Sequence, residues 1–228
     1  MADYRKVLEH VKTSEGGYSA HPEDNAASNP SPAVGLDRRY PSLPVHTYRG
    51  VTWGAWKAYA KKKGFAPTGE NFTRMTLAQW ENLLKVNYWD AIKGDDINSQ
   101  GIAEIIFEAI WGGGSQSMAG AVQTYLRGQG ADIRVDRSIG PKTVNALNAY
   151  TKNNPAGEEK MIKHLTNERL KYYQKLTDWV DFGKGWTDRA QKQMARAIAY
   201  IGENASVGGS LGLIAAFGVA YYLYVKYA

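Results

Sequence analysis

The chain has 228 residues, 43% of them hydrophobic and 22% charged, which is enough apolar side chain to bury one substantial core. It contains no cysteine, so a disulfide framework and thiolate-bound zinc or iron–sulfur centres are excluded; its four histidines, His10, His21, His46 and His164, lack metal-ligand spacing, and neither a metal nor a cofactor is expected. The formal charge of +6 favours polyanionic partners such as anionic lipid or the acidic bacterial wall, while the single tight basic run, Lys61–Lys63, reads as a solvated helix end and no further motif supports nucleic acid.

No signal peptide is expected in the first residues, because Met1–Ser14 is amphipathic and charged. Tyr4, Val7, Leu8 and Val11 recur at helical spacing, with Asp3 as N-cap and Gly16-Gly17 as the stop. One further turn along that apolar stripe lands on Glu15, a carboxylate on the buried face. Loss of hydration and the negative end of the helix dipole would both favour its protonated form, which suits a general acid. The competing reading is a carboxylate paired with a Lys or Arg at the helix end. His21–Pro44 is rich in Pro, Asn and Ser and predicts a long loop or short strands. Within it, Asp24 lies nine residues after Glu15 and could assist it; Glu23 competes for that role, and a turn-forming Asp is the alternative.

Farther along, Thr76 and Gln79 form a capping-box pattern before Leu77, Trp80, Leu84 and Tyr88. Ile102, Ile105, Ile106, Ala109 and Ile110 mark a helix ended by Gly112-Gly113-Gly114. Three further stripes, starting at Met118, Met161 and Ala190, are read as core. From Ala205 to Val225 the chain carries no charge, and a helix of about 20 residues covers roughly 30 Å, the hydrocarbon thickness of a bilayer. That span is expected to be a single transmembrane helix, with Tyr221, Tyr222, Tyr224 and Lys226 at the interface. Gly208, Gly212, Ala216 and Ala220 recur every four residues there and offer a face for a homodimer.

At Glu15-Gly16-Gly17-Tyr18, followed by His21-Pro22-Glu23-Asp24, the sequence resembles the glycoside hydrolase family 108 muramidases, phage lysozymes and their bacterial relatives. Thr47-Tyr48-Arg49-Gly50-Val51-Thr52, Tyr88-Trp89-Asp90 and Asp136-Arg137-Ser138-Ile139-Gly140-Pro141-Lys142-Thr143 resemble later motifs of that family in the same order, as do Arg169 before Tyr172-Tyr173 and Gly185-Trp186-Thr187-Asp188-Arg189. The resemblance implies Glu15 as the catalytic acid and the β-1,4 bond between N-acetylmuramic acid and N-acetylglucosamine as the substrate. By similarity to T4-type phage lysozymes, Asp24 and Thr47 would order the attacking water. The chain departs from the family pattern by an insertion from Asn25 to Val45, by Glu108 where the family has Asp, and by Arg137 in place of Gly. Glu108 reads either as a cleft residue or as a solvent-facing partner of Glu104.

Aromatic rings stack on the apolar faces of sugars, so Tyr18, Tyr48, Trp53 and Trp89, with Thr52 beside them, are the substrate-binding candidates; Trp56, Trp80, Trp111, Trp179 and Trp186 read as core. The expected architecture is mainly α: a lysozyme-like helical domain with a long N-terminal loop region and a C-terminal transmembrane helix. Residues 1–114 would form the catalytic lobe, 115–204 a helical lobe with a peptidoglycan-binding part, and 205–228 the anchor. The expected function is a single-pass, membrane-anchored lysozyme acting on the wall from a virion or host membrane, the alternative being a non-catalytic wall-binding or virion structural protein.

Overall fold

The computed structural model describes residues 1–12 and 16–207. Glu15 lies outside the described residues, as does the apolar run from Gly208 onward with Gly212, Ala216 and Ala220; Ala205–Val207 end the last helix. Among the described residues no helix is long and apolar enough to cross a membrane. The fold is mainly helical, and it divides into two compact units, Tyr4–Ala91 and Met1–Asp3 with the chain from Ile92 onward.

In the first unit, α1 (Tyr4–Lys12) buries Val7, Leu8 and Val11 and exposes Arg5, Lys6 and Glu9, as its spacing predicts. The chain then forms a three-stranded antiparallel sheet in the order β1 (Tyr18–Ser19), β2 (Thr47–Tyr48), β3 (Val51–Thr52), with Tyr18 opposite Tyr48 and Thr47 opposite both Ser19 and Thr52. The β2–β3 turn places Arg49 and Gly50 at φ 49° and 71°. The long connection between β1 and β2 holds a 3-10 turn, Asn25–Ser28, and a bridge between Val34 and Pro44. Its anchor is Asp37, 4% exposed, which accepts the Ala20 N–H at 3.0 Å and pairs with Arg39 at 2.9 Å.

Helices α2 (Trp53–Lys63), α3 (Gly69–Thr73) and α4 (Leu77–Leu84) follow, each opened by a threonine: Thr52, Thr68 and Thr76. The Thr76–Gln79 capping box forms as the sequence predicts. Gly64 ends α2 in the left-handed region at φ 75°. The expected apolar stripe past Leu84 does not continue as an α-helix; Lys85–Trp89 forms a wider turn instead. Leu77, read as part of that stripe, is 49% exposed because it stands on the first, outward-facing position of α4.

In the second unit, α5 (Gln100–Trp111) is buried over nearly its whole length and packs with α6 (Ser115–Gly128), α8 (Pro155–Tyr173) and α9 (Trp179–Val207), while α7 (Pro141–Thr151) packs on α6 and α8. By contact α5 therefore groups with the later helices, whereas motif order had placed it before a boundary at Gly114. Gly101 makes this packing close, since a Cβ there would lie 2.5 Å from the Ala197 carbonyl oxygen.

The solvent-facing reading of Glu108 requires correction. Glu104 is fully buried and Glu108 8% exposed, and neither faces solvent as half of a surface pair. Glu104 accepts from Arg196 at 3.0 Å and from Gln100 at 3.0 Å, and Glu108 accepts from Arg196 at 3.2 Å with Arg169 at 3.7 Å. Gln193 joins the network through Arg169 and the Glu104 carbonyl. Trp56 and Trp80 are core as expected, but Trp179 and Trp186 are only half-buried, beside Phe182 at 44% exposure.

Candidate active site

The site is assembled in the first unit by the end of α1, the sheet and the loop carrying Asp24. Two residues past position 15, the Gly17 carbonyl accepts the Arg49 N–H at 3.2 Å, which ties the chain leaving α1 to the β2–β3 turn. Trp80 fixes that turn from below by donating Nε1–H to the Arg49 carbonyl at 2.9 Å. Lys12, at the end of α1, pairs with Glu81 of α4. The backbone at Gly17 is thus pinned to the sheet that carries Thr47.

Thr47 is half-buried, and its Oγ1 lies 2.9 Å from Nδ1 of His46, a residue 1% exposed. The other ring nitrogen, Nε2, lies 3.2 Å from the His21 carbonyl oxygen, which also accepts the Asp24 N–H at 3.1 Å. A carbonyl oxygen only accepts, so Nε2 carries a hydrogen, and in the neutral ring Nδ1 accepts from the Thr47 hydroxyl. The Thr47 oxygen then presents only lone pairs outward. His46 therefore links Thr47 to the loop that carries Asp24.

Asp24 is half-buried and caps the 3-10 turn, Oδ1 accepting the Ala26 N–H at 2.8 Å. Glu23 is exposed, and its backbone N–H reaches His21 Nδ1 at 3.2 Å. Among the substrate-binding candidates, Tyr18 and Tyr48 come together: they face each other across β1 and β2 with rings stacked at 4.4 Å, and the Tyr18 hydroxyl donates to the Thr73 carbonyl at 2.8 Å. Burial and the neighbouring Tyr48 push the Tyr18 hydroxyl above the usual tyrosine range, so it stays a donor. The Arg49 guanidinium lies 5.3 Å from the centre of the Tyr48 ring.

The other three candidates serve the fold. Thr52 Oγ1 accepts the Ala55 N–H at 3.2 Å and caps α2. Trp53 is 7% exposed and packs against Phe72 at 5.3 Å, and Trp89 is fully buried with its ring 5.5 Å from Tyr4. Neither indole face is open to a sugar: Trp53 is covered by Phe72 of α3 and Trp89 lies in the core against Tyr4 of α1. His46 and Asp37 are the residues that sequence reading missed. The adjacency of His46 to Thr47 is the one signal that could have drawn attention to it.

Comparison with known proteins decides the chemistry. Residues 8–114 match the family model described as Glycosyl hydrolase 108, and residues 119–191 match the one described as "Predicted Peptidoglycan domain". The chain carries a glycosyl hydrolase 108 domain. It is a glycoside hydrolase acting on peptidoglycan, an N-acetylmuramidase. In fold the chain is similar to the structure of Brucella abortus SagA, with a TM-score of 0.65 at 23% identity over 87% of this chain and 95% of that one. No curated protein sequence matches the chain. The glycosyl hydrolase 108 match contains the second half of α1, the sheet, the Asp24 loop and α5, and the peptidoglycan match spans most of α6, α7 and α8 and the beginning of α9.

Proposed function

We propose that Glu15 is the general acid of this muramidase and that Asp24 and Thr47, held by His46, place the attacking water. The observation that carries the reading is the His46 bridge: one buried ring fixes both the Thr47 hydroxyl and the carbonyl beneath Asp24. Glu15 gives its proton to the bridging oxygen as the bond from the N-acetylmuramic acid anomeric carbon breaks. Water attacks that carbon, passing one proton to the Asp24 carboxylate and directing the other at the Thr47 lone pairs. Its own lone pair then points at the anomeric carbon. Oriented attack of this kind lowers the barrier because the geometry is set before reaction. Tyr18 and Tyr48 offer the sugar a half-exposed ring pair beside the site.

The test is clearing of purified cell walls by the full chain and by Glu15→Gln. The variant is expected to lose more than about 100-fold in rate, the scale of a general acid, with its thermal unfolding unchanged. Normal clearing by Glu15→Gln would remove the acid from that position.

The apolar run Ala205–Val225 supports a further part of the reading: it tethers the enzyme to a virion or host membrane and confines it to a thin layer beside the wall. Gly208, Gly212, Ala216 and Ala220 would give two such segments a close-packing face.

A further inference from the structure

The second unit contains a cavity of about 530 Å³ that the catalytic reading leaves unused. It opens where Leu126 near the end of α6, the following loop from Gln129 to Ile133 and one face of α7 meet. Helix α7 has two faces: Thr143, Val144 and Leu147 enter the core, while Lys142, Asn145, Ala146 and Ala149 line the cavity at helical spacing. Two of those four are alanines, which keeps the space unfilled.

The Asp136–Thr143 motif explains why the wall is rigid. Gln123, 1% exposed, donates to the Asp136 carboxylate at 2.7 Å, the Ser138 carbonyl at 2.9 Å and the Thr143 hydroxyl at 3.1 Å, and accepts the Arg137 N–H at 2.8 Å. These bonds pin the start of α7 to α6. The motif's Asp and Thr are therefore spent on structure, and Lys142 is the motif residue that lines the cavity.

The lining combines one ammonium (Lys142), one carboxylate (Asp132), two amides (Gln129, Asn145) and a floor of methyl and methylene groups. A sugar site would present flat aromatic planes. This cavity has one ring, Tyr150, whose hydroxyl is 3.0 Å from that of Tyr125. A short aliphatic peptide bearing both charges fits this chemistry better, and every lining residue lies within the segment matched to the peptidoglycan domain.

Building on the peptidoglycan-hydrolase reading, we propose that the α6–α7 cavity binds the peptide stem of peptidoglycan. The stem's terminal carboxylate meets Lys142, the ammonium of its diamino acid meets Asp132, and its alanine methyl groups rest on Ala131, Ala146 and Ala149. The second unit thus holds the peptide while the first cuts the glycan. Binding both parts of one polymer raises the local concentration of the scissile bond.

The test titrates the full chain by calorimetry with a synthetic stem pentapeptide carrying a diamino acid, and separately with a peptide-free chitooligosaccharide. Lys142→Glu and Ala149→Trp, both on the exposed side of α7, are checked for unchanged unfolding temperature. The pentapeptide is expected to bind the wild type and to bind each variant at least about tenfold more weakly, the loss of one charge contact or of the space itself. The assignment is overturned if the wild type shows no heat with pentapeptide at millimolar concentration, if neither variant weakens it, or if the variants weaken only the oligosaccharide. Release of reducing ends from walls by the wild type is measured alongside. Its absence would count against the hydrolase reading, whereas the pentapeptide titration involves no bond cleavage and decides the cavity by itself.

Discussion

His46 connects the two residues proposed to hold water, and its role depends on which ring nitrogen donates. Glutamine can copy that polarity, accepting from Thr47 through its oxygen and donating to the His21 carbonyl through its amide; leucine can do neither. His46→Gln is therefore expected to retain a substantial part of kcat, and His46→Leu to lose about 10-fold or more with KM little changed, as steady-state assays on soluble glycan would read. Equal loss in both would make His46 a packing residue only. Asp37 acts on the same loop from a different direction. Its carboxyl is held well below the usual carboxylate range, first by the Arg39 side chain and then by the N–H groups of Ala20 and Arg39, with burial opposing. Its folded pKa lies below its unfolded value, so its stabilising contribution is full above about pH 4 and is lost as pH falls through the folded value. Asp37→Asn is expected to lower stability at neutral pH by about 1–3 kcal/mol, by denaturant titration, with the gap to wild type narrowing in strong acid. A gap that widens in acid would contradict the sign.

Among helices α5, α8 and α9, two carboxylates and two guanidinium groups sit in a nearly closed interior. Burial pushes the Glu108 carboxyl up despite Arg169 and Arg196, which shows how much desolvation the pairing must offset. Arg196→Met would leave Glu104, 1% exposed at its side chain, facing Gln100 without its guanidinium partner. We expect a loss of about 3–5 kcal/mol in thermal or chemical unfolding. Arg74→Ala, which breaks the exposed pair between Glu70 of α3 and Arg74 just past its end, should change stability by no more than about 1 kcal/mol. Similar losses in the two variants would mean that burial does not set the energetics here. The sequence shows the two acids four residues apart but not the arginines that face them, because those arrive from helices 61 to 92 residues away.

At the scale of the whole molecule, the uncharged run from Ala205 predicts that the full chain floats with lipid vesicles, and that Gly212→Arg, which puts a charge in mid-bilayer at a cost of about 2.5–3.5 kcal/mol, shifts it toward the soluble fraction. Recovery of the wild type only in the soluble fraction would refute the tether. Crosslinking in detergent that yields monomers alone would remove the dimer.

Patterns that repeat over a few residues were legible directly. The α1 stripe, the Thr76 capping box and the α5 run closed by three glycines needed only neighbours in the chain, since helix periodicity is a local property. The ordered motifs carried the chemistry for the same reason. What tertiary structure alone decided was which side chains are spent on the fold: Trp53 and Trp89 are buried, Thr52 caps a helix, Glu104 and Glu108 meet arginines, and His46 joins Thr47 to the Asp24 loop across 25 residues. A ring or a carboxylate looks the same in sequence whether it faces substrate or core, because burial is fixed by partners distant in the chain.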